Sequence, residues 1–166
     1  MPDLSAQPMR FLYAYWRVWQ GLAARAEGQL ERAHGLDLRS FLALSALHGG
    51  VLHPSELAMQ LGLPRYVVTR TLDTLSRLNA VERGLDSGDR RRQNLHITPA
   101  GRLLWLAAMQ TIEHVCGEPL AVLGEQLDSL TTALERLAAS ADTAASAHIA
   151  ASSVSKSKCK ETHHDH

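Results

Sequence analysis

Cysteine is scarce in this chain, and lysine is missing from almost all of it. The two cysteines are Cys116, in a helical pattern, and Cys159, in a polar tail, so a disulfide framework is excluded. All three lysines lie in the last eleven residues and all fourteen arginines precede residue 137, which suggests that the tail has a separate history. No run of about 18 apolar residues is present to cross a bilayer. Nor does a basic stretch followed by a long apolar run open the chain, so no signal peptide is expected. A cytoplasmic protein with no membrane partner is the expectation. Net charge is also absent: 17 basic residues balance 17 acidic ones, which argues against a surface uniformly coated for nucleic acid. Gly-rich phosphate loops, zinc-protease helices and nucleophile elbows are all missing. The nine histidines are scattered without catalytic company. An enzyme is not expected, nor is a resident cofactor or metal.

Zero net charge conceals a strong polarity. Residues 63–102 hold eight arginines (65, 70, 77, 83, 90, 91, 92 and 102) against four acids, Asp73, Glu82, Asp86 and Asp89. Residues 113–142 hold one arginine and six acids. Local basicity, rather than the total, is what attracts phosphate.

Apolar positions at Phe11, Leu12, Tyr15, Trp16, Trp19, Leu22, Ala23, Ala26 and Leu30 recur at three-four spacing and predict a long amphipathic helix over 8–33. Gly35-Leu36-Asp37 breaks it, and Asp37 is placed to cap a second helix, Leu38 to His48, ended by Gly49-Gly50. Ser55 to Leu61, capped by Ser55, Gly62-Leu63-Pro64 and Arg65 to Asn79 then read as helix, turn and helix. Strands follow at Val81 to Leu85 and Asn94 to Thr98, with Asp89-Arg90-Arg91-Arg92 near the tip between them. Thr98 and Pro99 start another helix, expected to reach about Cys116 before Gly117 to Pro119 interrupts it. Leu120, Leu123, Leu127, Leu130, Leu134 and Leu137 then trace a heptad seam. It buries either against the chain's own first helix or, as the reading favoured here, across a subunit interface. Beyond residue 140 the composition becomes Ala, Ser, Thr and Lys, continuing as helix to about Ala151 and then as disordered tail.

A helix-turn-helix followed by an arginine-tipped ribbon is a shape that grips duplex DNA, with the helix in the major groove and the ribbon beside it. Leu63-Pro64-Arg65-Tyr66-Val67-Val68-Thr69-Arg70 with Leu72 and Leu75, then Val81-Glu82-Arg83, carry the strongest further signal. It continues as Asp86-Ser87-Gly88-Asp89-Arg90-Arg91 and Leu95-His96-Ile97-Thr98-Pro99-Ala100-Gly101. On these residues the chain resembles the MarR family, the multiple-antibiotic-resistance type of winged-helix regulators, over about residues 10–138. It departs from the family pattern at Gly88, where Arg is usual, and at Tyr66, where a small hydroxyl residue is usual. The first departure weakens an internal wing salt bridge, and the second puts a ring on the groove-facing end of the helix.

The resemblance implies a mainly α fold with a small β-wing. It divides the chain into a winged-helix unit at 8–140 and a low-complexity tail at 141–166. Within the unit, 8–35 and 100–140 are dimerisation helices, and 37–99 is a DNA-binding lobe with its wing at 81–98. The implied protein is a homodimer whose two recognition helices meet the half-sites of a pseudo-palindromic double-stranded operator. Most such proteins repress transcription, and many leave DNA when a small aromatic acid binds or a cysteine is oxidised.

On the predicted recognition helix, Val67, Leu72 and Leu75, with Val68 beside them, face the core. Arg65, Tyr66, Thr69 and Arg70 remain for bases and phosphates, unless they form only a solvated face. Ser55 is a phosphate ligand or merely a cap. A guanidinium fits a narrow minor groove, and the resemblance favours Arg91 as the inserted residue, with Arg90 next. Asp89 would position an arginine rather than meet phosphate. For the effector, Tyr15, Trp16, Trp19, His48 and Arg102 form the candidate pocket, since an arginine beside aromatic rings suits a flat carboxylate. The plainer alternative makes Trp16 and Trp19 core residues.

Three further features remain open. Cys116 follows Glu113 and His114, and a neighbouring imidazolium lowers a thiol pKa, giving a redox-sensing alternative to ligand sensing. An inert buried cysteine is the simpler reading. Glu113, His114 and Cys116 would ligate a metal only with help from another element. The tail Cys159, His163, His164, Asp165 and His166 holds soft ligands that scavenge metal without regulating anything. A different class of function is a winged-helix protein-interaction module without operator specificity, against which the clustering of Arg70, Arg90 and Arg91 argues. Replacing the wing arginine, Arg91→Ala, is expected to cause a large loss of operator binding in a dimer that stays folded. Unchanged affinity at moderate salt in a gel-shift titration would remove the wing from the mechanism.

Overall fold

Two capping events set the first helices. The structure, a computed structural model, describes residues 6–50, 53–85 and 93–141. Helix α1 (Gln7–His34) ends where Gly35 turns left-handed at φ 65°, its N–H bonding the carbonyls of Glu31 and Leu30. Glycine adopts that conformation without the Cβ penalty. Helix α2 (Leu38–His48) begins at Asp37, whose carboxylate accepts the Ser40 N–H at 2.6 Å, as the sequence predicts. Helix α3 (Pro54–Leu61) starts one residue earlier than expected, so Ser55 is not its cap. His53 is the N-cap and its N–H donates to the Glu56 carboxylate at 3.3 Å. Pro54 opens the helix at no cost, because a first-turn N–H has no helical partner in any case.

Gly62, at φ 60°, then reverses the chain into helix α4 (Arg65–Arg77). This helix ends two residues short of the expected Asn79. Asn79 is the one non-glycine residue with positive φ among the described residues, and Ala80 N–H closes the turn on the Leu75 carbonyl at 2.9 Å. Asparagine tolerates the left-handed region better than most side chains. Strands β1 (Val81–Leu85) and β2 (Gln93–Ile97) pair antiparallel, with Arg83 opposite Leu95. The residues joining them lie outside the described residues.

Helix α5 (Pro99–Ala121) runs through the Gly117–Pro119 interruption expected from sequence. Pro119 removes one backbone donor, but the helix breaks only two residues past it, at a turn over 122–125 where Gly124 has φ 49°. The chain is helical again over 126–141 (α6). Leu123 therefore sits in a turn, and the leucine seam crosses a break instead of running along one rod. Within α6, Leu127 and Leu134 are half-buried and Leu130 and Leu137 exposed. The chain divides into two units, residues 1–119 and 120–166.

The core of the first unit belongs to the lobe. Helix α2 is its centre, burying Phe41, Ala43, Leu44, Ala46 and Leu47 against Leu57 of α3, Leu72 and Leu75 of α4, and Leu95 of β2. Each fully buried leucine contributes about 2 kcal/mol of transfer free energy. In α4 the buried stripe is Val68, Thr71, Leu72 and Leu75. The sequence reading put Val67 on that face; it is only half-buried, because the stripe repeats from Val68 at steps of four and three. Helix α1 contributes only Ala26 and Leu30.

One junction joins α4, the wing and α5. Thr98 N–H donates to the Ala80 carbonyl at 3.0 Å, and its hydroxyl donates to the Asn79 carbonyl at 2.7 Å. The same hydroxyl accepts the Gly101 N–H at 2.8 Å, making Thr98 the cap that the sequence predicts. Gly101 is buried directly against Ala80, and a Cβ there would overlap the Ala80 backbone. Gly101→Ala should therefore cost on the order of 3 kcal/mol, since backbone rather than a flexible side chain must yield. Urea denaturation would check this, and an unchanged midpoint would contradict it.

Candidate nucleic-acid interface

Because α4 buries Val68, Thr71, Leu72 and Leu75, its other side must face out. Arg65, Tyr66, Thr69 and Arg70 are all exposed there, Tyr66 at 68%. Positions i, i+1, i+4 and i+5 share one helix face. The Thr69 hydroxyl donates to the Arg65 carbonyl at 3.0 Å, which leaves its methyl group outward. Pro64 precedes the helix and supplies no side-chain cap; its carbonyl takes the N–H groups of Val67 and Val68, and those of Arg65 and Tyr66 keep their donor capacity. Ser55 is exposed in the first turn of α3. Arg90 and Arg91 lie outside the described residues, as do Asp89 and the rest of the tip.

An ion pair not anticipated from sequence ties this helix to the wing. Arg83 of β1 donates to Asp73 of α4 at 2.5 Å, and the same Nη2 lies 3.4 Å from the Thr69 carbonyl. Both side chains are partly solvated, so the pair contributes little stability of its own. Its use is orientational, since Arg83 touches the exposed face of α4 at two points one turn apart, the Thr69 carbonyl and the Asp73 carboxylate. The ten-residue gap between Asp73 and Arg83 carries no periodic signal; only the hairpin that follows α4 brings them together. Met59 of α3, 79% exposed, was likewise missed, being unremarkable within a helical pattern.

The five residues considered for an effector are dispersed in their contacts. Tyr15 stacks on Phe11, with ring centres 6.2 Å apart. Trp16 and Trp19 are about half exposed and lie outside the core that the simpler reading gave them. His48 stacks instead on Trp105 of α5, with ring centres 3.7 Å apart, and Trp105 Nε1 donates to the Ser45 hydroxyl at 3.1 Å. Arg102 donates to the Ile97 carbonyl at 3.0 Å. No hydrogen bond or ring contact among the described residues joins two of the five. The His48–Trp105 stack bridges α2 and α5 and involves a tryptophan that the sequence reading did not single out.

Burial pushes the Cys116 thiol above its ordinary pKa, opposed by the positive charge of Arg25. That is opposite to the activation expected from His114, because loss of water around the sulfur disfavours the thiolate. Among the described residues no group of three or more His, Cys, Asp or Glu is placed to hold a metal ion. No helix among them is long and apolar enough to cross a membrane.

The family model for the MarR family matches residues 34–92. No curated protein matches the chain. Among solved structures, the fold is similar to the transcriptional regulator BldR from Sulfolobus solfataricus. That likeness has a TM-score of 0.76 and 21% identity over 82% of this chain and 98% of the other. It is also similar to a mutant MarR from E. coli complexed with operator DNA, with a TM-score of 0.68 and 20% identity over 81% of this chain and 98% of that one. A third likeness is to BpsR of Bordetella bronchiseptica, whose DNA binding is regulated by 6-hydroxynicotinic acid. Its TM-score is 0.66, with 18% identity over 76% of this chain and 91% of that one.

The direction of the Cys116 shift gives a pH test. In a Cys159→Ser background, the pH midpoint for alkylation of Cys116 should lie higher in the folded protein than in urea. A folded midpoint at or below the unfolded one would restore an oxidation-sensing role.

Proposed function

We propose that this chain, which carries a MarR-family winged-helix lobe over residues 34–92, is a homodimeric repressor that binds a pseudo-palindromic operator and is released by a small aromatic acid. The family is one of transcriptional regulators, not enzymes. The observation that carries the reading is the outward face of α4, where Arg65, Tyr66, Thr69 and Arg70 stand over a stripe anchored in the core. Arginine chelates the O6 and N7 of guanine, and the threonine methyl and tyrosine ring suit thymine methyls. The free N-terminal donors of α4 suit a phosphate. Ser55 adds a hydroxyl from α3. Arg90 and Arg91 complete the interface in this reading, with Arg91 in the minor groove.

What α1 leaves uncovered supports the dimer. Phe11, Leu12, Tyr15, Trp16, Val18 and Trp19 are all exposed on one helix. An apolar surface of that size on a small protein marks an interaction site. A second copy covering it through α1, α5 and α6 satisfies the surface and sets two α4 helices about one duplex turn apart, roughly 34 Å. Tyr15, Trp16, Trp19, His48 and Arg102 remain the candidate effector residues, to be assembled between the dimerisation helices and the lobe. The regulation of BpsR by an aromatic acid supports that ligand class. A cytoplasmic location fits this role.

Light scattering of the purified chain should give twice the monomer mass. Fragments selected from the source genome should share an inverted repeat. Arg70→Ala should weaken operator binding by about 1–3 kcal/mol if it reads a base, or flatten the salt slope by about one counterion if it holds a phosphate. A monomer with no preference among fragments would contradict the proposal.

A further inference from the structure

A polar cleft of about 370 Å³ separates the start of α2 from the side of α4. Along α4 it is lined at three-four steps by Val67, Arg70, Thr71, Thr74 and Arg77, and Arg39 reaches it from α2. Three guanidinium groups from two helices thus share one concave surface.

The carboxylates around it are already occupied. Asp37 accepts the Ser40 N–H at 2.6 Å, and Glu27 accepts the Leu38 N–H at 3.3 Å. The N-terminus of α2 is therefore filled by the protein's own acids and is not itself an anion site. Asp73 is engaged by Arg83. Arg77 donates to the Thr74 hydroxyl at 3.0 Å. The guanidinium groups of Arg39 and Arg70 make no hydrogen bond or ion pair among the described residues. Two exposed, unengaged forks facing one cleft suit a tetrahedral oxyanion, because each offers paired donors and neither must break a bond to receive it.

We infer that this cleft receives a backbone phosphate of the duplex flanking the bases read by α4, held by Arg39 together with Arg70 and Arg77. The inference rests on the reading of α4 as the recognition helix and adds a second helix to its footprint. Arg70 lies both on the outward face and in the cleft, so an oxyanion bound there belongs to the duplex that α4 engages. The contact carries no sequence information. It fixes the register of α4 along the groove, as phosphate contacts do.

The test uses the full chain and Arg39→Gln, with fluorescence anisotropy on a selected operator fragment and on an unrelated duplex over a range of salt. Binding should weaken by a similar factor on both duplexes, with their affinity ratio unchanged. The slope of log affinity against log salt should become shallower by about 0.9. Arg39→Lys, which keeps the charge, should recover most of the slope. An unchanged slope in Arg39→Gln, with tight wild-type binding, would overturn the phosphate site and leave α4 as the reader. Wild-type protein that binds neither duplex would overturn both. A free oxyanion has the same chemistry, so inorganic phosphate is titrated into DNA-free protein by calorimetry. Saturable heat that disappears in Arg39→Gln, with the duplex slope unaltered, would assign the cleft to a soluble anion and overturn the backbone contact.

Discussion

The contact on which the rest of the lobe depends is the one around Ala80. Its carbonyl accepts the Thr98 N–H, its backbone lies against Gly101, and its own N–H closes the end of α4 on Leu75. Three elements therefore meet at one buried residue: α4, the β1–β2 ladder and α5. A carbonyl is a point acceptor with strict distance requirements, so the start of α5 cannot slide relative to the end of α4 without losing bonds that water cannot easily replace. The wing inherits this register because Val81 and Ile97, the first pair of the ladder, flank the junction. Arg83 adds a second, softer tie from β1 to the outer side of α4. Helix α4 is held from behind by packed leucines, at its end by Ala80 and from the side by an ion pair. Little conformational freedom then remains to be lost when it docks.

The same economy is absent from α1. Its C-terminal part joins the core through Ala26 and Leu30, while its first half carries rings and aliphatic chains outward. An isolated chain gains nothing from tryptophan at 54% exposure, and the sequence invests two tryptophans there. Association with a second copy is the physical reason proposed for that composition. The neutral net charge is a polarised one, with eight arginines in 63–102 and six acids in 113–142.

Much of this was legible in the sequence wherever a residue type serves a single local purpose. Asp37 as a cap, Gly62 at the turn between helices and Thr98-Pro99 as a helix start all depend on the backbone within a few residues. The outward residues of α4 were legible from periodicity, although Val67 and Val68, adjacent and chemically identical, were confused about which faces the core. Competition between neighbouring signals misled elsewhere. Pro54 outranked Ser55 in starting α3, and α5, expected to end at about Cys116, runs through Pro119 and ends two residues past it. What the sequence hid were pairings across distance. Asp73 with Arg83, His48 with Trp105, and Arg39 beside Arg70 join separate elements, and no spacing along the chain announces them. The candidate effector residues show the same limit, since individually plausible side chains did not predict which ones touch.

Photo-crosslinking from the outward face of α4 tests whether this helix reads a duplex. A photoreactive phenylalanine analogue placed at position 66 should crosslink to bases of a bound operator fragment. The crosslinks should fall at two symmetry-related positions about one helical turn apart, and excess unlabelled operator should abolish them. No crosslink to duplex under conditions where the fragment is bound, or crosslinks scattered without symmetry, would mean that this helix does not read the DNA.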